Sequence, residues 1–146
     1  MRLVLDTNTA LSGLLWGGPP GRLIDAAQTG GIELGSSVAL LAELQGVLRR
    51  QKFSRPLERL GITASDLFDG YASLVTIVTP AAIAPVIARD PADDQVLTTS
   101  LGAHADLMVS GDRHLLELGG EYRDIPIVSP TGAVAVISKR TGGKPG

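Results

Sequence analysis

No cysteine occurs in the 146 residues, which excludes a disulfide framework and a thiolate zinc site and agrees with a cytoplasmic protein. No apolar run approaches the ~20 residues needed to cross a bilayer, so membrane roles drop out. A basic region followed by a long apolar segment is also missing from the N-terminus, and no signal peptide is expected. Net charge is small: a formal −2 argues against binding nucleic acid by bulk attraction alone. We find no internal repeat, low-complexity block or inter-domain linker. What remains, 44% hydrophobic and 19% charged residues, suits one globular domain over residues 1–140, with a disordered tail over 141–146.

The pattern along the chain alternates strands and helices. Leu3-Val4-Leu5 reads as a strand buried on both faces, and Asp6-Thr7-Asn8 marks its carboxyl end. A short helix over Thr9–Leu15 is broken by Trp16 to Gly21, and a second runs from Arg22 to Gln28. After a strand at Ile32–Leu34, Ser36 or Ser37 caps a helix from Val38 to Arg50 with a stripe at Val38, Leu41, Leu44 and Leu48. Two helical pieces, Ser54–Leu60 and Thr63–Leu74, precede a strand at Val75–Val78 and an ambiguous connection over Ala81–Ala88. Asp90-Pro91 opens a helix reaching about His104. Leu107–Val109 and Ile125–Val128 are strands with a short helix between them, and Pro130–Lys139 is a terminal helix or strand. The expected fold is a three-layer α/β/α sandwich with a central, mostly parallel sheet.

Four acids fall where such a sheet presents a ligand crevice. Asp6 and Asp112 each follow an apolar strand, and at a point where strand order reverses they would stand ~4.8 Å apart. Asp6 can equally be a plain helix cap. Glu43 lies on the border of its helix's apolar arc, able to face the crevice or the solvent. Asp94 shares a face with Leu97 and Leu101, and its neighbour Asp93 is the alternative third acid. Carboxylates ~5 Å apart repel by about 3 kcal/mol at an effective dielectric near 20, so such a cluster takes up protons or holds cations. With oxygen donors only, Mg²⁺ or Mn²⁺ is the natural partner, and metal-assisted phosphodiester hydrolysis the natural reaction. A Ser-His-Asp site has less support, because His104 and His114 lie near no nucleophile motif and read as structural.

Val4-Leu5-Asp6-Thr7-Asn8, Glu43 on a Leu-rich helix, Arg89 to Asp94 and Val109 to Leu116, in that order, resemble the PIN domain family. More narrowly they are similar to the VapC-like ribonucleases, the toxin components of toxin–antitoxin systems. That resemblance implies Asp6, Glu43, Asp94 and Asp112 as catalytic and metal-binding acids, with Asn8 bracing the first turn and Ser110 supporting the last acid. It also implies Mg²⁺ or Mn²⁺ dependence, RNA as substrate, a cognate antitoxin as partner and a homodimer.

Between Arg49 and Arg59 the chain is basic. Arg49, Arg50, Lys52 and Arg55 are candidates for the RNA backbone, with Phe53 stacking on a base, against the plainer reading of a solvated helix end with Phe53 in the core. Two rivals stand beside the nuclease. A non-catalytic PIN-like module would bind RNA or protein without cutting. A haloacid-dehalogenase-like phosphatase is suggested by Asp6 and Asp112, but that family has a second acid where Asn8 stands.

Overall fold

A computed structural model describes the backbone of residues 1–82, 91–117 and 120–142, and their side chains apart from those of 91–94, 113, 114, 141 and 142. The chain runs β1 (Arg2–Leu5), α1 (Thr7–Trp16), α2 (Gly18–Gln28), β2 (Glu33–Ser36), α3 (Val38–Leu48), a 3₁₀ turn (Gln51–Phe53), α4 (Ser54–Leu60), α5 (Ala64–Leu74) and β3 (Thr76–Ile77). It continues through α6 (Pro91–Gly102), β4 (Leu107–Val109), α7 (Arg113–Leu116), β5 (Glu121–Tyr122), β6 (Ile125–Val128) and α8 (Pro130–Gly142).

The six strands form one sheet in the order β3-β2-β1-β4-β6-β5. Every neighbouring pair is parallel except β5 with β6. Because successive strand residues point to opposite faces, each strand feeds two cores. Leu3, Leu5, Leu107 and Val109 pack on one face with Leu11, Leu23, Leu44, Leu48 and Tyr71 of the helices. Val4, Met108 and Ile127 pack on the other with Val96 and Leu97 of α6 and Leu115 of α7. The result is the expected sandwich of three layers. At the opposite edge from the turn after β1, the Arg2 N–H donates to Asp106 Oδ2 at 2.7 Å and the Asp106 N–H donates to the Arg2 carbonyl at 2.7 Å. These bonds latch the start of the chain to the approach to β4.

Several boundaries differ from the sequence reading, each for a local reason. Helix α1 begins at Thr7, two residues early, since Asp6 and not Asn8 is its cap. Pro19 and Pro20 do not break the chain but occupy the first turn of α2, where a missing N–H costs nothing. The break shrinks to Gly17 and Gly18, at φ 76° and 64°. Strand β2 is shifted to Glu33–Ser36, and Ser37 is the cap that starts α3. Val38, expected in the buried stripe, is the first helical residue and stands 73% exposed, while Leu40 is buried instead. Strand β5 has no counterpart in the sequence pattern; it joins β6 through Arg123 and Asp124, both left-handed. The final segment is a helix, and it extends to Gly142, past the expected start of the tail. Residues 143–146, with most of the ambiguous Ala81–Ala88 connection, lie outside the described residues.

Candidate active site

Strand β1 pairs with β2 on one side and β4 on the other, so the β1–β4 boundary is where strand order reverses. Leu5 faces Val109 in the register, and the Asp6 N–H extends the ladder to the Val109 carbonyl at 3.0 Å. Asp6 and Ser110 therefore follow paired residues at adjacent carboxyl ends, the position that binds ligands in open α/β sheets.

Asp6 has extended backbone geometry and both of its carboxylate oxygens are engaged. Oδ1 accepts the Thr9 N–H at 2.7 Å, capping α1, and Oδ2 accepts the Ser110 hydroxyl at 2.5 Å. Capping and crevice readings hold together: the same side chain does the first and stands at the second. Ser110, fully buried, donates its one hydroxyl proton to Asp6, and its oxygen accepts the Asp112 N–H at 2.9 Å. The backbone N–H of Ser110 donates to the Val128 carbonyl, fixing the turn to β6. One hydroxyl thus ties the first acid to the turn carrying the last, 104 residues away along the chain.

The other candidate acids come from helices. Glu43 is half-buried on α3, at the border expected of it. Among the described residues no three acidic or imidazole side chains gather closely enough to hold a metal ion, so Glu43 does not form such a group with Asp6 and Asp112. Asp93 and Asp94 lie in the first turn of α6, and their side chains are outside the described residues. Both helices are nevertheless tied to each other: the Thr99 hydroxyl of α6 donates to Ser37 Oγ at 2.9 Å, and Ser37 Oγ also accepts the Leu40 N–H at the start of α3. Asn8 is exposed on the first turn of α1; Asp6 and Ser110 brace the turn. His104 is exposed in a left-handed turn after α6, and the His114 side chain is outside the described residues.

Two buried groups escape a reading of the sequence. Tyr71 of α5 is buried, and its phenol is pushed above its ordinary value of 10.0, first by burial and second by the negative charge of Asp6. The Thr7 Oγ1 atom is buried with no hydrogen-bond partner among the described residues. Nothing in the helical spacing of Tyr71 distinguishes it from an ordinary core aromatic, and Thr7 reads as a cap.

The basic stretch is exposed at Arg49, Arg50, Lys52 and Arg55. Phe53 is not available for stacking on a base. It is 7% exposed, on the inner side of its 3₁₀ turn within the core, and meets the edge of Trp16 at 5.9 Å between ring centroids.

The sequence matches the PIN domain family over residues 2–114, and the chain belongs to that family. No curated protein matches it. Among solved structures, its fold is similar to that of a chain in the crystal structure of VapBC2 from Rickettsia felis bound to a DNA fragment from their promoter. The TM-score is 0.60 at 14% identity, covering 88% of this chain and 98% of that one. The phosphatase reading is set aside by the family assignment. Among the described residues, no helix is long and apolar enough to cross a membrane.

Proposed function

We propose that this protein is a divalent-cation-dependent ribonuclease, the toxin of a toxin–antitoxin pair, acting in the cytoplasm on RNA and held in check by a cognate antitoxin. The observation that carries it is the Asp6–Ser110–Asp112 linkage at the reversal point of the sheet. The donor chemistry fits Mg²⁺ or Mn²⁺: Asp6 and Asp112, with Glu43 and Asp94 or Asp93 from the two helices, offer only hard oxygens. Each Asp6 oxygen accepts one hydrogen bond and keeps a lone pair for a cation. A cation held there supplies an activated water and positive charge for the phosphodiester. The chain's own part is to fix Asp6 from two directions, through the α1 amide and the Ser110 hydroxyl, so that its charge faces the crevice without reorganising. Arg49, Arg50, Lys52 and Arg55 attract the RNA backbone, and a homodimer is the expected assembly.

One observation favours a second reading, a binding module that does not cut: both Asp6 oxygens already have partners, and the described acids do not converge in threes. Incubation of the purified chain with single-stranded RNA in EDTA, Mg²⁺ and Mn²⁺ separates the two. Cleavage is expected with either metal and none in EDTA, and Asp6→Asn is expected to slow it on the order of 10²- to 10³-fold. No cleavage by the wild type at millimolar metal favours the binding module, and equal cleavage by Asp6→Asn shows that the cutting does not come from this site.

A further inference from the structure

Trp16, the sole tryptophan of the chain, is 60% exposed at the last position of α1. A large aromatic left in water is ordinarily mobile, but this one is supported from below. Its ring meets the buried Phe53 ring at 61°, an edge-to-face contact, and Gly17 turns the chain away directly after it. Lys52 places its Nζ 5.1 Å from the centroid of that Phe53 ring. Arg49, Arg50 and Arg55 are exposed on the same stretch. Among the described residues, none of these four cations is ion-paired with a carboxylate.

An exposed ring packed against a second aromatic, with exposed cations on the segment that carries that aromatic, is a combination that binds unpaired nucleotides: the ring takes a base face, and the cations take the flanking phosphates. We infer that Trp16, packed against Phe53 in a stretch that exposes Lys52 and three arginines, is a stacking platform for single-stranded RNA. This inference rests on the ribonuclease reading and extends it to how the substrate is held. A duplex does not fit, because its base faces are already covered.

The platform stands apart from the cutting centre. Helix α1 begins beside Asp6 and ends at Trp16, and its ten residues span about 15 Å. A stacked strand advances ~3.4 Å per nucleotide, so about four or five nucleotides separate the two points. A dinucleotide reaches only one of them.

The test uses the full chain in EDTA, where no cutting occurs, and a single-stranded RNA of about twelve nucleotides. Because Trp16 is the sole tryptophan, stacking is read directly as quenching of its fluorescence. Quenching is expected, with an affinity that falls as salt rises. Labelled-RNA anisotropy then compares variants: Trp16→Ala is expected to weaken binding by roughly ten- to a hundredfold, and Trp16→Phe to retain most of it. With Mn²⁺ added, Trp16→Ala is expected to raise KM on the long RNA without changing kcat, and to leave dinucleotide cleavage as it was. Binding without quenching, Trp16→Ala binding like wild type, or equal quenching by duplex RNA overturns the platform. So does emission that follows protein concentration alone, which marks a contact between two copies, or a complete lack of RNA binding. RNA cut without any emission change removes the platform and leaves the nuclease. Quenching without cutting does the reverse.

Discussion

Ser110 holds the two ends of the candidate centre together with a single oxygen. Replacing it with Ala leaves Asp6 Oδ2 without its buried donor and the Asp112 amide without its acceptor. Because partners that orient ligating carboxylates matter nearly as much as the ligands, Ser110→Ala is expected to lower Mn²⁺ affinity by roughly 10- to 100-fold, measured by calorimetric titration. Ser110→Thr keeps the hydroxyl and is expected to stay near wild type; equal affinities for all three proteins would show that the linkage does not serve a metal. At this scale the sequence is informative wherever a residue's role follows from its place on a strand. Asp6 and Asp112 are legible because each follows a buried apolar run within three residues, at the carboxyl edge of the sheet. Ser110 is named through the family resemblance, and its bond to Asp6 depends on a register between strands that no local pattern encodes. Phe53 and Trp16 invert the simplest expectation: Phe53 lies among cations in sequence, yet a 3₁₀ turn rotates it inward and leaves Trp16 outside.

Among the elements, α6 shows how tightly the sandwich is closed on the side of the candidate third acid. A Cβ on Gly102, at the end of that helix, would clash with the Thr79 carbonyl oxygen, and the Ala81 N–H donates to the Thr98 carbonyl. The segment after β3 therefore lies directly on the helix. Gly102→Ala is expected to destabilise the protein by about 1–3 kcal/mol through forced displacement of that backbone, read as a lower midpoint in urea. Gly46→Ala on α3 is the internal control. Its added methyl meets nothing within 4 Å, and the helix is expected to gain about 0.5–1 kcal/mol. Most elements are visible from periodicity and caps, as Ser37 before α3 and Thr63 before α5 illustrate, each accepting an amide three residues on. Strand β5 stays hidden because two residues are too few to show alternation, and its turn uses Arg123 and Asp124 in place of the glycine that normally announces left-handed geometry.

For the molecule as a whole, a cation bound at the crevice would act on stability as well as on chemistry, since it would bind the folded chain and not the unfolded one. At a hundredfold excess over Kd this amounts to about 2.7 kcal/mol. For a chain of this size that is a rise in Tm of roughly 5–10 °C, expected with Mn²⁺, reversed by EDTA and absent in Asp6→Asn. A thermal scan that does not respond to Mn²⁺ would count against a metal centre whatever the RNA assay gave. The bond between Asp6 and Ser110, like the latch between Arg2 and Asp106, joins positions more than a hundred residues apart. A polypeptide emerging from the ribosome carries its first acid long before the serine and the last acid exist, and so cannot complete the cleft. For the ribonuclease proposed above, that order of assembly would leave a nascent chain unable to cut RNA until its last acid has been made.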